Sequence, residues 1–347
     1  MALAKPCAAI LLAMVLVATA LAALGVSPGA VFGALLNGAF GSWLALSDSI
    51  VKAMPLIFTG LAVSVAFTGA LWNIGAEGQL LMGAMAACAI GIKLADWPAP
   101  LAIALTLAAG SAAGAIWSGA CGWLKVRHGV NEVISTIMLN YVAIEAVSWA
   151  VHGPLMEPTR ALPVSAPIAA AARFHHYWPP SQLNGGLLLA VVCAIACQAW
   201  IFHTSSGFEL RATGKNARAS AFFRIPVARV TMLAMTASGA LAGMAGAVQV
   251  CAITNRLYEQ FSPGWGYEAI AVALVARLNP LAVLVTALFF GALDNGSQAV
   301  QRVLGISPVL AQVVQAIVIF LLLAFDTGVF WKPPAAVSRA MEPTADA

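Results

Sequence analysis

Charged residues are scarce in this 347-residue sequence. Asp, Glu, Lys and Arg make up 9% of it, whereas 61% of the residues are hydrophobic. A soluble globule must cover much of its surface with polar side chains, so this composition excludes one. The sequence instead predicts an all-α, polytopic membrane helix bundle with about ten hydrophobic elements, some of them short or broken, in a single transmembrane domain covering residues 1–347.

The motifs of several common chemistries are also missing. No GxxxxGK[ST] sequence occurs, and the stretch from Gly207 to Lys215 has the wrong spacing, so we expect no P-loop and no ATP bound through one. Apart from Cys193 and Cys197, one helical turn apart, the cysteines and histidines show no metal-ligand spacing. We expect no cofactor and no metal, and the lack of an acid–base or nucleophile cluster argues against a membrane enzyme.

The placement of the basic residues indicates orientation. The formal net charge is only +4, and eleven of the seventeen Lys and Arg residues fall in segments that we assign to the cytoplasmic side. We therefore expect no nucleic-acid partner, both termini in the cytoplasm and a cytoplasmic tail at 327–347. The apolar run 7–26 resembles a signal peptide but is longer than a usual h-region, so we interpret it as the first span.

Hydrophobic runs and turn residues predict the remaining boundaries. Residues 266–278 are too short to span and should form a short or re-entrant element that turns at Asn279–Pro280. Gly110, Gly114, Ser118 and Gly122 recur every fourth residue, which predicts a close helix–helix contact. Further spans are predicted at 51–71, 99–123, 131–151, 184–203, 230–251, 281–296 and 308–325, with connections at 27–50, 125–129, 152–183 and 254–265. The 27–50 connection is expected outside, either as a loop or with a short interfacial helix in it.

A basic segment, residues 204–229, is the long polar interruption in the second half of the chain. It carries five basic residues against the single acid Glu209. Asn216 as N-cap, followed by Ala217–Phe223 and stopped by Ile225-Pro226, predicts a short surface helix. Two interpretations stay open: a loop that only sets topology, or a surface on which a cytoplasmic partner acts.

Polar residues interrupt the apolar sequence at two further places. Trp72–Gln79, reading WNIGAEGQ, predicts either a tight loop or a broken helix that faces a cavity. Glu132, Thr136 and Asn140 lie on one helix face, where they either hydrogen-bond to other helices or line a pathway. Glu77 and Glu268 each follow a glycine and begin an apolar element, which hints at a weak internal repeat around a central site.

Four stretches together resemble the permease subunits of bacterial ABC importers. They are WNIGAEGQLLMGA at 72–84, HGVNEVISTIMLNYVA at 128–143, the stretch at 207–247 and the stretch at 266–293. The resemblance runs from about residue 55 to residue 325. It is greatest to the branch that takes nucleosides or simple sugars, which is related to the ribose and branched-chain amino-acid permeases.

The resemblance implies that the 204–229 segment is the coupling loop that docks on a separate ATPase subunit. Gly214, Asn216, Ala219 and Ile225 match the family pattern of this loop, but Arg224 stands where the family usually has glycine and Ser220 where it has alanine. Arg211, Arg218 and Arg224 complete the predicted coupling residues. The implied partners are this ATPase, a second permease chain that is a copy or a paralogue, an extracytoplasmic solute-binding protein and the lipid bilayer of the bacterial inner membrane.

The function predicted from this resemblance is the transmembrane subunit of an ATP-driven importer for a nucleoside or simple sugar. The alternative is a stand-alone secondary transporter driven by H⁺ or Na⁺, with Glu77 or Glu268 as the coupling carboxylate. We predict that six polar residues line the solute pathway: Asn73, Glu77, Gln79, Glu132, Asn140 and Glu268.

Overall fold

The computed structural model describes residues 27–305, together with Val15, Ala18, Thr19, Ala22, Gly25, Val313, Ala316, Ile317 and Phe320. Within 27–305 the chain forms eleven α-helices and contains no β-strand beyond isolated bridges. The helices are α1 Pro28–Phe40, α2 Trp43–Thr68, α3 Ala76–Gly91, α4 Ala99–His128, α5 Glu132–His152, α6 Gly185–His203, α7 Ser205–Lys215, α8 Ala217–Phe222, α9 Val227–Gln249, α10 Trp265–Val275 and α11 Pro280–Leu304.

Six of these helices are long and apolar enough to cross a membrane: α2, α4, α5, α6, α9 with its extension to Thr254, and α11. Three others, α1, α3 and α10, are apolar but shorter. This architecture confirms the predicted all-α, polytopic helix bundle. The predicted spans at 7–26 and 308–325 fall almost wholly outside the described residues, and the tail at 327–347 lies entirely outside them.

Two compact units can be distinguished. One comprises residues 39–295 and holds most of the helices; the other comprises the segments on either side. In this second unit, Val31 of α1 and Val300 of α11 form a small apolar core. The assignment of residues 1–347 to one domain stays a prediction.

Helix α9 is the central packing element of the 39–295 unit, since it contacts α2, α3 and α4. Its contact with α4 is made by glycines: a Cβ atom on Gly114 would collide with the Gly239 carbonyl oxygen, and one on Gly243 with the Gly110 carbonyl oxygen. This close approach confirms the predicted packing role of the small-residue stripe in α4. Van der Waals contact is the main attraction between helices in lipid, which makes such backbone contacts valuable.

The predicted connection at 27–50 is too long: α1 fits the short helix allowed there, but the first turns of α2 occupy residues 43–50. Ser47 and Ser49 in this stretch are both buried in α2. Their hydroxyl groups donate to the helix carbonyls of Leu44 and Ala45, at 2.8 and 2.9 Å. A serine whose hydroxyl donates to a carbonyl of the preceding turn is compatible with a helix. Helix α2 therefore includes these serines and begins at Trp43, eight residues before the predicted span.

Two further boundaries are corrected. Residues 125–128 belong to the last turn of α4, where basic side chains favour the helix C-terminus, and the helix ends at Gly129, whose φ is +68°. Helix α11 does not stop at Gly296 but continues to Leu304. Gly296 packs closely on Leu35 of α1, so it serves a helix contact and not a helix end.

The segment between α5 and α6 is bound to the end of α9, where a π-helical turn covers Val250–Thr254. The backbone N–H of Phe174 donates to the Cys251 carbonyl at 2.9 Å, and the His176 ring Nε2 lies 2.8 Å from the Ala252 carbonyl oxygen. This segment is therefore an ordered cap on α9.

We expect Gly114→Leu to destabilise the bundle, because the added side chain must force α4 and α9 apart. Overpacking of this kind costs about 1–3 kcal/mol or more. Thermal unfolding of the purified chain in detergent measures the loss. Ala112→Leu is the matched control, since Ala112 is exposed on the same helix. Equal unfolding temperatures for the two variants would contradict the glycine contact.

Candidate functional site

A break in the helical chain separates α2 from α3. Helix α2 ends at Thr68 and α3 begins at Ala76, so residues 69–75 form the break. The predicted break at 72–79 is thus displaced, because Glu77 and Gln79 lie in the first turn of α3. At 16 residues, α3 is about 24 Å long and shorter than the hydrocarbon layer of about 30 Å.

Two buried amides hold the break to α3 and α9. The Asn73 side-chain amide donates to Gln79 Oε1 at 3.1 Å and accepts from Gln79 Nε2 at 2.8 Å. Asn73 Nδ2 also donates to the Ser238 hydroxyl of α9 at 2.9 Å, and Ser238 in turn donates to the Ala62 carbonyl of α2 at 2.7 Å. A single chain of hydrogen bonds therefore connects the break with three helices.

Asn140 of α5 completes this network from the opposite side. Its Oδ1 accepts from the Gly78 N–H at 2.9 Å, and its Nδ2 donates to the Ile74 carbonyl at 2.9 Å. The same Nδ2 lies 3.2 Å from the Tyr267 hydroxyl of α10. Asn140 thus satisfies backbone groups that the interrupted helix leaves open.

Glu77 connects the N-termini of the two short helices. Its Oε2 accepts from the Gly266 N–H in the first turn of α10 at 2.7 Å, and the Ser262 side chain also hydrogen-bonds to it. A Cβ atom on Gly266 would collide with the Glu77 backbone. The two elements proposed as an internal repeat therefore meet at their N-terminal ends, where a carboxylate opposes the positive ends of both helix dipoles.

The other two predicted acids lie at the edges of this network. Glu132 forms an ion pair with Lys125 and accepts a hydrogen bond from the Trp72 backbone N–H, so it anchors the start of the break. Glu268 is half-buried in the first turn of α10. The structure thus brings Asn73, Glu77, Gln79 and Asn140 together; the role of all six residues in solute passage stays a prediction.

The basic segment contains two helices where the sequence predicted one. Asn216 caps α8 as expected, with its Oδ1 accepting from the Ala219 N–H at 3.0 Å. The turn that follows places Arg224 at φ +62°, a left-handed conformation that glycine adopts most readily. This conformation suits the glycine that the family resemblance leads us to expect at position 224. The missed helix is α7, whose start is capped by Thr204.

The predicted coupling residues divide between two surfaces. Gly214 of α7 packs against the Thr68 carbonyl at the end of α2, and Arg211 lies over the Phe202 ring at 5.2 Å. Arg218, Ala219 and Arg224 are exposed, Asn216 caps α8 and Ile225 is half-buried beyond it. Helix α7 is therefore the inner part of the segment, and α8 is its outer part.

Sequence reasoning missed an exposed aromatic pair at the end of α8. Phe222 is 83% exposed and Phe223 is 75% exposed, and their rings lie 5.6 Å apart in an edge-to-face arrangement. The available signal was the pair itself, two adjacent phenylalanines inside a polar segment. Large apolar side chains exposed beside arginines are typical of a protein interface.

Long apolar helices interrupted by short ones, with buried polar groups where the short helices meet, are typical of membrane transport proteins. Among the residues that the structure describes, no cluster of three His, Cys, Asp or Glu is placed to hold a metal. The remaining question is the family of transporter.

Comparison with known proteins answers it. Residues 45–323 match the family described as branched-chain amino acid transport system / permease component. The chain is 32% identical to the glucose ABC transporter permease protein TsgB13 of Haloferax volcanii, with 96% of this chain and 89% of the relative covered. It is 33% identical to the guanosine ABC transporter permease protein NupP of Bacillus subtilis, covering 90% and 91%.

A third relative, the nucleoside ABC transporter permease protein NupB of Lactococcus lactis, is 31% identical over 98% of this chain and 95% of its own length. No solved structure gives a significant match. The chain belongs to the branched-chain amino acid transport system permease family and is a multi-pass permease subunit, not an enzyme. This membership decides against the stand-alone secondary transporter.

We expect Asn140→Leu to destabilise the folded chain by about 1–3 kcal/mol, because the Gly78 N–H and the Ile74 carbonyl would lose their buried partner. Tyr267→Phe is the matched control, since it removes only the 3.2 Å contact between Asn140 Nδ2 and the Tyr267 hydroxyl. This loss should cost less than about 1 kcal/mol. Thermal unfolding in detergent compares the two. Two equally small losses would contradict the role of Asn140 at the break.

Proposed function

We propose that this chain forms one side of a solute path and that a separate ATPase drives it through the 204–229 segment. The observation that carries the proposal is that the segment joins an exposed helix, α8, to α7, a helix packed against α2. Its outer helix, α8, presents Phe222 and Phe223, while its inner helix, α7, packs on the last residues of α2 immediately before the break. A partner bound to α8 would thus act, through α7, close to the break at residues 69–75.

The contacts of α7 suggest how a movement would be transmitted. Gly214 and Leu210 lie against Thr68 and Gly69, and a side chain on Gly214 would collide with the Thr68 carbonyl. At such short range the two elements must move together, since packed interiors yield little. Displacement of α8 by an ATPase would therefore shift the break and the hydrogen-bond network attached to it.

The proposed solute is a nucleoside or a simple sugar. The names of three relatives of similar identity specify glucose, guanosine and nucleosides. The polar network around the break offers amide, hydroxyl and carboxylate groups that suit uncharged, hydroxyl-bearing molecules. We include Asn73, Glu77, Gln79, Glu132, Asn140 and Glu268 in the proposed pathway, either in direct contact with the solute or as supports of the groups that contact it.

The complete importer would contain the ATPase, a second permease chain and an extracytoplasmic solute-binding protein. The ordered cap between α5 and α6 is the proposed docking surface for the solute-binding protein. We place the chain in the bacterial cytoplasmic membrane with both termini in the cytoplasm. The bias of Lys and Arg toward one set of loops, including Arg218 and Arg224, supports this orientation.

Replacing both Phe222 and Phe223 with alanine should release the ATPase from the purified complex. Truncation of an interface anchor costs about 2 kcal/mol or more, so the pair should weaken binding at least about 100-fold. Co-purification of the ATPase with the tagged chain is the measurement. Phe208→Ala is the control, because Phe208 is 60% exposed on α7, in the same segment. Retention of the ATPase by the double variant would refute α8 as the docking helix.

Uptake of guanosine or glucose into cells should require the ATPase and not an ion gradient. We expect uptake to persist, at a reduced but measurable rate, when the proton and sodium gradients are collapsed and ATP is maintained. In a strain without the ATPase, uptake should vanish. Radiolabelled solute accumulation measures both. Loss of uptake on gradient collapse at constant ATP would contradict an ATP-driven mechanism.

A further inference from the structure

The turn that ends α2 places a residue other than glycine in left-handed backbone. Ala70 has a φ of +54°, whereas Gly69, directly before it, has a φ of −85°. Left-handed backbone is strained for a residue that carries a Cβ atom, and it is free of this strain for glycine. The chain therefore has its glycine one residue before the position where the backbone needs it.

The hydrogen bonds of this turn are those of a Schellman motif, a common cap at helix C-termini. The Leu71 N–H donates to the Ala66 carbonyl at 3.1 Å, and the Ala70 N–H donates to the Phe67 carbonyl at 2.9 Å. If the motif slid back by one residue, Gly69 would become the left-handed residue. Its N–H already lies 3.0 Å from the Ala66 carbonyl, which would be its partner in that second register. The Leu71 N–H would then lose its own partner.

Two other helices within residues 27–305 end in the same motif but lack this choice. Helix α8 ends with Arg224 at φ +62°, and α10 ends with Arg277 at φ +52°, with the same pattern of hydrogen bonds. The residues before them are Phe223 and Ala276. A slide by one residue would there exchange one strained residue for another. Among these three helix ends, α2 alone has a glycine in the preceding position.

Helix α7 packs on the two residues whose conformation such a slide would change. A Cβ atom on Gly214 would lie 2.1 Å from the Thr68 carbonyl oxygen, and one on Gly69 would lie 2.7 Å from Leu210 Cδ1. The second contact also favours a small residue at position 69, but it does not account for the strain at Ala70. Because both contacts are made with the observed register, α7 stabilises that register against the strain.

We propose that the end of α2 is a two-state switch that α7 controls. With α7 in place the left-handed residue is Ala70; when α7 withdraws, it becomes Gly69, and α2 shortens by one residue, about 1.5 Å. The buried Leu71 then moves, and the break moves with it, because the Asn73 N–H is bonded to the Leu71 carbonyl at 2.9 Å. The inference rests on the proposed function and specifies how the 204–229 segment acts on the break.

Hydrogen exchange of the Leu71 amide reports the second register, because this amide is bonded only in the first. The full-length chain is placed in lipid nanodiscs and exchange is resolved at single residues. Ala70→Gly relieves the strain of the observed register, so it should slow exchange at Leu71 about tenfold. Gly214→Ala pushes α7 away from Thr68 and should speed it about tenfold. The Leu278 amide, in the same motif of α10, is the internal control and should change less than about twofold in both variants. An unchanged rate at Leu71 in either variant would overturn the proposal.

The complex with the ATPase shows whether the switch is used. Addition of ATP should change the exchange rate of the Leu71 amide about tenfold, and that of the Leu278 amide less than about twofold. In the Ala70→Gly chain the response at Leu71 should fall below about twofold, because the first register is then favoured in both states. Equal changes at the two amides, or no change at Leu71 in a complex that hydrolyses ATP, would overturn the switch. Failure of the chain to retain an ATPase would instead refute the proposed function, and the exchange rates of the chain alone would still decide between one register and two.

Discussion

A break between two buried helices leaves backbone N–H and carbonyl groups without helical partners, and the need to satisfy them away from water governs the architecture of the 39–295 unit. The break at 69–75 is tolerated because neighbouring side chains replace the missing helical bonds. Asn140 accepts from the Gly78 N–H in the first turn of α3 and donates to the Ile74 carbonyl within the break. Asn73 joins the break to α9, and Glu77 accepts from the Gly266 N–H in the first turn of α10. The position of α3 therefore depends on residues from three other helices.

Close glycine contacts give this arrangement its rigidity. Gly114 and Gly243 allow α4 and α9 to touch at the backbone, and Gly266 allows the start of α10 to reach Glu77. Larger residues at these positions would separate the very helices that carry the hydrogen-bond partners. Packing and polar satisfaction thus support each other: the glycines bring the amides within reach, and the amides hold the interrupted backbone between them.

Much of this could be predicted from periodicity and composition. Four-residue spacing identified both the small-residue stripe of α4 and the buried stripe of α5, and turn chemistry placed the cap of α8 at Asn216. Helix ends were less predictable, because Ser49 and Lys125 suit either a loop or a helical turn until their partners are known. The meeting of Glu77 with Gly266 could only be hinted at, since no local pattern specifies a contact between residues 189 positions apart. Exposure of Phe222 and Phe223 depends on tertiary packing, which a single sequence does not display.

The π-helical turn at the end of α9 has a consequence for communication across the membrane. Its carbonyls hold the cap between α5 and α6, and the other end of α9 follows directly from the turn after α8. One continuous helix therefore joins the cap to the 204–229 segment. A protein bound to the cap and a protein bound to α8 would both act on helix α9, so their binding free energies would be coupled. If one protein changes the affinity of the chain for the other by some factor, the second protein must change the affinity for the first by the same factor.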